Sequence, residues 1–596
     1  MAKGQTWTAR RTRFMNRLHV SMAGRTPVAT GFVSSPEPRT IGHFARGRQL
    51  LAGNFMLSGR LVEAPDTLIW DIAPEDAPFV DELHGFAWLD DLAAVGDAKS
   101  RERAQTWVMN WIDRYGKGQG PGWTPALTGR RLIRWINHAL LLLRGRDKET
   151  ADRFYASLSR QTVYLSRRWR RAPQGLPRFE ALTGMIHAGL SLEGMQDHVE
   201  PAIAALAADC QARIGPQGDI PSRNPEELLE VFTLLTWASA ALNEAGRTLP
   251  SELVEAIGRI APTLRALRHS DGGLARFHGG GAGIDGRLDH ALAASGNRRM
   301  RKGGLHMGYA RIAAARTSVI IDAAKPASGR DSGDAHASTL AFEMTSGRRP
   351  VIVNCGSGAP FGPEWRKAGR ATPSHSTLGI EGTSSSRMAP PKIVRGQQVE
   401  LFSEGPERVG CEMRHAEGSQ KLELSHDGWR SHLGLTHARI MELSNDGRAL
   451  AGEDILTTLS PGDERAFDTM MAATSLQGAP FSIRFHLHPD VDASVDLGGT
   501  AISLALKSGE VWVFRHDGKA RLTLEPSIYL EKGRLKPRSC DQVVLSGRAI
   551  AYATRVRWSL AKAQGTPDAV RDYAPGGRGL EYAPPGRTGT GDDDLE

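Results

Sequence analysis

The sequence predicts a multidomain α+β protein, an N-terminal helical domain followed by a C-terminal antiparallel β-sandwich. Three observations predict it. At 596 residues the chain is too long for one hydrophobic core. Residues 75–269 carry apolar side chains at three- and four-residue spacing, the period of an amphipathic helix. After the glycine-dense stretch from Gly272 to Gly286, that period gives way to short alternating runs rich in β-branched residues.

Taken in order, residues 1–45 are basic, rich in Ser, Thr and Pro and weakly patterned, and they read as an extended arm. A helical domain over 46–300 follows, with helices at 77–95, 101–115, 124–143, 147–170, 179–192 and 225–242. Breaks at 116–122, 171–177 and 215–225 are rich in Gly, Pro and polar residues, so successive helices should pack as antiparallel hairpins. This pattern admits an open solenoid as well as a closed toroid. Within 305–562 the clearest strands are 317–322, 339–344, 351–354, 420–424, 481–487, 501–506, 510–514 and 548–558. Turn formers such as Ser346-Gly347 and Asn445-Asp446-Gly447 separate them. Many strands without helices between them argue for a sandwich rather than a parallel sheet. Residues 563–596, ending in Asp592-Asp593-Asp594, have the composition of a disordered tail.

Composition bounds the function. The hydrophobic fraction of 40% and charged fraction of 24% are those of a soluble globular chain. Net charge is +9, concentrated in clusters such as Arg130-Arg131-Arg134, Arg167-Arg168-Arg170-Arg171 and Arg298-Arg299-Arg301-Lys302. Such patches attract nucleic acid, anionic lipid or acidic polysaccharide, and solvated helix faces account for them equally. No nucleic-acid-binding signature accompanies the charge, so nucleic acid is set aside as a partner. Cys210, Cys355, Cys411 and Cys540 lie far apart and suggest neither a disulfide framework nor a thiolate zinc site. Thirteen Trp against eight Tyr suit either sugar stacking or core packing. No apolar run has the length of a membrane span and no export signal is evident, so the residues read as cytoplasmic.

Two segments carry a family resemblance. The first runs Ser332-Gly333-Asp334-Ala335-His336-Ala337-Ser338, then Leu340-Ala341-Phe342-Glu343, then Val351-Ile352-Val353-Asn354-Cys355-Gly356. The second is Arg370-Ala371-Thr372-Pro373-Ser374-His375-Ser376-Thr377-Leu378. Together with His426-Asp427-Gly428-Trp429, His437-Ala438-Arg439 and Arg484-Phe485-His486-Leu487-His488-Pro489, they resemble the sandwich domain of heparinase II/III-type polysaccharide lyases.

The resemblance implies an (α/α) toroid before the sandwich and β-elimination on a uronic-acid-containing acidic polysaccharide or oligosaccharide. That reaction removes the proton beside the sugar carboxylate, so it needs a base and an acid in reach and cationic or hydrogen-bonding groups on the carboxylate. By motif, His336 enters the proton relay, and Arg178 and Arg223 stand near where the family's carboxylate-binding helices begin. An Arg can clamp a carboxylate in bidentate fashion. Tyr309 and His306 in the linker, and His278, Asp285 and Asp289 in the glycine-rich loop, take positions between the domains, where ligand sites often form. Of these, Tyr309 is the candidate for proton transfer and His278 for substrate binding. A family zinc site would fall to His336 and His375, with Asn354 where the family has an acid; an amide oxygen is a weaker ligand than a carboxylate. His187 reads as a packed or surface histidine. The family's proton-transferring Tyr on a later toroid helix has no counterpart in residues 219–226, and this absence and the Asn354 change also support a second reading, a catalytically degenerate glycan-binding protein of the same fold. The family further implies the periplasm or cell envelope, and a homodimer is a candidate assembly.

Overall fold

The structure is a computed structural model that describes residues 7–34, 37–301, 303–394 and 397–563. The helical half comprises α1 (Trp7–Ala23), α2 (Phe44–Leu51), α3 (Ala77–Gly85), α4 (Ala87–Val95), α5 (Ala98–Tyr115), α6 (Pro125–Asn137), α7 (Ala139–Leu143), α8 (Lys148–Arg168), α9 (Leu176–Ser191), α10 (Val199–Arg213), α11 (Pro225–Glu244), α12 (Ser251–Ala266) and α13 (Arg287–Ala294). Local chemistry starts several of them. Asp76, Asp97, Thr124, Asp147 and Asn224 each cap an N-terminus with a side-chain oxygen, and Pro125 and Pro225 open α6 and α11.

Two helices expected to be continuous are broken. The 77–95 pattern splits at Phe86, whose φ of +62° is left-handed. The break turns the Phe86 ring into a buried aromatic cluster, 4.8 Å from Trp88 and 5.3 Å from Trp135 between centroids. Likewise 124–143 divides at His138. This cluster, with Trp107 and Trp111 fully buried, shows that core packing accounts for much of the tryptophan content.

Helices pack on sequence neighbours, α9 on α10 and α11 on α12, and on more distant ones, α6 on α9, α9 on α11 and α11 on α13. The α6–α9 crossing depends on two glycines. A Cβ on Gly129 would sit 2.2 Å from the Glu180 carbonyl oxygen, and one on Gly184 would sit 2.5 Å from Gly129 Cα. Only hydrogen fits there.

The expected extended arm contains a helix instead, α1, which docks on α8. Its apolar residues recur at helical spacing, but Arg residues interleave with them and mask the period. The 563–596 tail lies outside the described residues, apart from Ala563.

The sandwich consists of two large antiparallel sheets. One orders Val409–Ala416, Ser419–Trp429, Leu435–Ser444, Ala449–Thr457, Ala553–Lys562, Val511–His516, Ala501–Leu506 and Val491–Asp496. The other orders Arg521–Tyr529, Arg538–Ala549, Ala479–Leu487, Arg349–Val353, Phe342–Ser346, Thr317–Asp322 and Tyr309–Ala314, with Leu378–Ile380 paired to Ala479–Leu487. Strands 317–322 and 501–506 fall where the sequence predicted them, whereas 548–558 spans the end of one strand and the start of the next. Helices Pro363–Arg370 and Pro461–Ala473 interrupt a half expected to hold strands alone.

Phe342, Phe485, Phe514 and Trp558 stack at the centre of the sandwich core. The helical core does not stop at the domain boundary. Met307, Tyr309, Ile320 and Ala341 belong to it, so the second sheet is packed directly against the helices.

Candidate functional site

Six segments meet at the seam between the halves. Arg223 precedes the Asn224 cap of α11, and His278 lies in the glycine-rich loop; both have left-handed backbone, with φ of +55° and +47°. Tyr309 opens one strand and Asp322 closes its neighbour. His336 and His375 each follow a 3-10 turn, Gly329–Asp334 and Thr372–Ser374. The sequence analysis therefore named five of the six residues gathered here and missed Asp322. A carboxylate ending an apolar strand, facing a buried Arg from the other half, was the available signal.

Arg223 is fully spent. Nε donates to Met307 O at 3.1 Å, Nη1 to Ala324 O and Lys325 O at 3.1 and 2.6 Å, and Nη2 to Gly308 O and Asp322 Oδ1 at 3.0 and 2.5 Å. A guanidinium has five N–H donors, and all five are used. Its expected role on a substrate carboxylate is therefore corrected: Arg223 ties the α11 approach to the sandwich. Tyr309 is tied in the same way. Its hydroxyl donates to Arg223 O at 2.6 Å, its ring lies 4.8 Å from Arg223 Cζ, and burial raises its pKa well above the usual value. A wholly buried, hydrogen-bonded phenol cannot exchange a proton with a sugar, so the proton-transfer role expected of Tyr309 is corrected too.

Asp322 is fully buried and accepts from Ser338 Oγ at 2.7 Å as well as from Arg223. Burial pushes its pKa up, but Arg223, followed by His278 and Ser338, more than offsets this and holds it well below the carboxylate range. His278 Nδ1 accepts from the His336 backbone N–H at 3.1 Å, which places its proton on Nε2, 3.4 Å from Asp322 Oδ2. His278 thus clasps the His336 loop from a buried position, with Nε2 turned to Asp322.

His336 and His375 do converge, with ring centroids 5.2 Å apart. Both are buried, and His336 Nδ1 and both nitrogens of His375 have no hydrogen-bond partner. Burial, then the neighbouring His486, lowers the His375 pKa to about 3; burial, then His375 and His278, lowers that of His336 well below its usual value. A neutral imidazole of such low basicity is a poor proton acceptor at neutral pH. His336 is thus brought beside His375 and held at a basicity well below that of a free imidazole.

Asn354 is committed elsewhere. Its Oδ1 accepts from Ser376 N at 3.0 Å and its Nδ2 donates to Glu343 Oε1 at 3.3 Å. Glu343 itself accepts from Arg276 N at 3.0 Å and lies 3.3 Å from His269 Nε2. The expected zinc set of His336, His375 and Asn354 thus retains two neutral imidazoles and no free oxygen ligand. Among the described residues no group of three His, Cys, Asp or Glu side chains is placed for a metal. This donor set does not fit zinc.

Arg178 stays outside the seam cluster. It donates to Ala172 O at 3.0 Å and Arg170 O at 3.4 Å, and Nη1 lies 3.7 Å from Asp209, so it closes the end of α8. The carboxylate clamp expected of Arg178 is replaced by this structural tie. His187 is buried, its pKa lowered to about 4 by burial, then by Arg39, as befits a packed histidine.

The helical half holds a cavity of about 460 Å³ lined by residues of α3, α6, α9, α11 and α13. Asp81, Glu82, Glu180 and Glu230 line it with Arg130, Arg134 and Arg287. Arg130 pairs with Glu180, Arg287 with Glu230, and Arg134 with Asp90 outside the lining. Burial raises the pKa of Asp81, Glu82 and Glu180. The lining thus sets four carboxyl groups against three guanidinium groups, and burial disfavours the charged form of three of the four acids.

A helical half and an antiparallel sandwich packed together at such a seam define a two-part helix-and-sandwich protein. Residues 296–559 match the heparinase II/III-like C-terminal domain. FtsZ-localized protein C of Caulobacter vibrioides is 31% identical over 549 residues, covering 90% of this chain and 92% of the relative. The chain belongs to the heparinase II/III-like family. Its fold is that of the crystal structure of heparinase III, at 13% identity, 94% and 91% coverage of the two chains and a TM-score of 0.66. A heparan sulfate lyase from Pedobacter heparinus matches with 13% identity, 94% and 89% coverage and a TM-score of 0.54. The helical half is accordingly an (α/α) toroid. No helix among the described residues is long and apolar enough to cross a membrane, and none of these findings supports the homodimer.

Proposed function

We propose that this chain is a non-eliminating, saccharide-binding member of its family. The observation that supports this reading most is the complete commitment of Arg223, whose five donors are spent within the protein together with the Tyr309 hydroxyl and His278. Elimination needs a cation or donor aimed at the sugar carboxylate and a base of suitable pKa, and the seam offers neither in free form. The four carboxyl groups of the toroid cavity support a neutral or amine-bearing saccharide over a polyuronate. The name of the Caulobacter relative supports a place of work beside FtsZ, which we extend to this chain.

The test pairs two measurements on the purified full chain. Incubation with heparan sulfate, alginate and other uronic-acid glycans, with and without zinc, should yield no unsaturated product. A glycan array should show retention of neutral or amine-bearing glycans that are recovered at unaltered mass. Unsaturated ends on any uronate polymer would restore the lyase reading.

A further inference from the structure

The helical half holds a second cavity, of about 540 Å³, that shares no lining residue with the toroid cavity. Its walls come from the segment 37–42 before α2, from the end of α4, and from residues 136–141 across the break between α6 and α7. Polar ties fix this frame. His138 Nε2 lies 2.9 Å from Asp90 Oδ1 and 3.3 Å from Thr40 Oγ1, and Asp90 Oδ2 accepts from Arg134 Nε at 3.0 Å. The His43 N–H donates to Asp91 Oδ1 at 2.8 Å, and Gly42 lies so close on α4 that a Cβ would sit 1.9 Å from the Asp90 carbonyl oxygen. The rest of the wall is mostly apolar, with Pro38, Ala93, Ile136 and Leu141, and Leu140, which is 78% exposed, completes it.

One polar group of this wall is left over. Asn137 is 5% exposed, and neither its Oδ1 nor its Nδ2 has a hydrogen-bond partner among the described residues. A buried carboxamide in that state has lost its hydration at both atoms, and native proteins keep few such groups unless something else meets them. Asp90, His138 and Thr40 are spent on one another and on Arg134, so Asn137 is the group with bonds to give. A carboxamide sets an acceptor beside a donor, and its complement is a second amide edge. No Lys or Arg lines the cavity, while Glu37 and Asp90 do, which disfavours an anion. Walls that are mostly apolar disfavour a heavily hydroxylated sugar. The volume is that of a small-molecule site. We propose that this cavity is a binding site for a small, flat, uncharged molecule, apolar over most of its surface, whose amide edge pairs with the Asn137 carboxamide. The site is separate from the toroid cavity and the seam, so it stands whether or not the chain binds saccharide.

The experiment is saturation-transfer NMR on the full chain with two probes of one shape, benzamide and benzoate. Benzamide should receive saturation from the protein. Benzoate should not, because it puts an acceptor where the amide has a donor and brings a negative charge beside Glu37 and Asp90. Asn137→Leu should weaken benzamide binding by about tenfold and leave the melting temperature level or higher, since an apolar side chain of similar shape has no unmet hydrogen bonds. Ala93→Phe, which fills the space from the α4 wall with Asn137 in place, should also abolish binding, and it carries the test if Asn137→Leu does not fold. A full chain that gives benzamide no saturation overturns the proposal. So does benzoate bound as well as benzamide, or a folded variant of either kind that binds benzamide as the parent does. Light scattering that shows a dimer dispersed by Leu140→Ser, without benzamide binding, assigns the cavity to a second copy and has the same force.

Discussion

Among individual residues the decisive ones are buried ions. Asp322 and Arg223 are each other's charge partner at the seam, and removing one leaves the other without compensation in a dry site. Asp322→Asn should therefore lower stability by about 3 kcal/mol, read from urea denaturation. The folded pKa of Asp322 is depressed, so its stabilisation is present above the unfolded carboxylate pKa and fades as pH falls towards the folded value; the variant should lose that part of the acid limb. His375 titrates differently. Its pKa falls from 6.5 to about 3 on folding, so the unfolded chain binds the extra proton between those values and stability declines as pH drops below about 6.5. Replacing it by Gln should reduce the slope of stability against pH in that window by up to about 1.4 kcal/mol per unit, and an unchanged slope would show that the imidazole is not held neutral. Residue identity at the seam was legible because His336 and His375 sit in recognisable motifs. Their state was not. Whether an imidazole is a base or a packed ring depends on what surrounds it, and residues such as His486 and His278 come from distant segments.

Among the elements, the α6–α9 contact shows how a helical pair is specified by what is missing. Gly129 and Gly184 let the two backbones touch, a packing choice that periodicity does not reveal, since a glycine inside a helix pattern lowers confidence in the helix without naming its partner. Gly184→Leu should cost about 3 kcal/mol or prevent folding, measured by denaturation and soluble yield, while Gly145→Ala, whose Cβ meets nothing, should cost much less and arise only from its φ of +73°. The same contrast marks the helix breaks at Phe86 and His138. Apolar spacing continues across both, so the sequence reads as one helix, and the break is made by packing, which draws Phe86 into the tryptophan cluster. Strands were easier to place where one face meets the core and alternation is strict. The 317–322 strand, buried on every residue, was found instead by its β-branched run.

For the whole molecule, the seam makes two domains behave as one. The helical core continues into Tyr309, Ile320 and Ala341, and Arg223 adds five hydrogen bonds across the boundary. Calorimetry should show a single cooperative unfolding transition, with calorimetric and van't Hoff enthalpies in agreement; two resolved transitions would mean that the seam is weaker than its contacts indicate. Such a weld also bears on function, because a cleft that must open and close around a polymer is poorly served by a fully bonded boundary.

By itself the sequence determined the order of the two halves, the helical and strand periods, the segments that bear His336 and His375 and a net charge of +9, all of which are properties of neighbouring residues or of their sum. The tertiary structure alone decided that Arg223, Tyr309 and His278 are fastened inward, that Asn354 faces Glu343, and that the toroid cavity gathers four carboxyl groups with three arginines. The reason is physical. A side chain's type sets what bonds it can make, whereas the segments that fold against it set which bonds are left to offer.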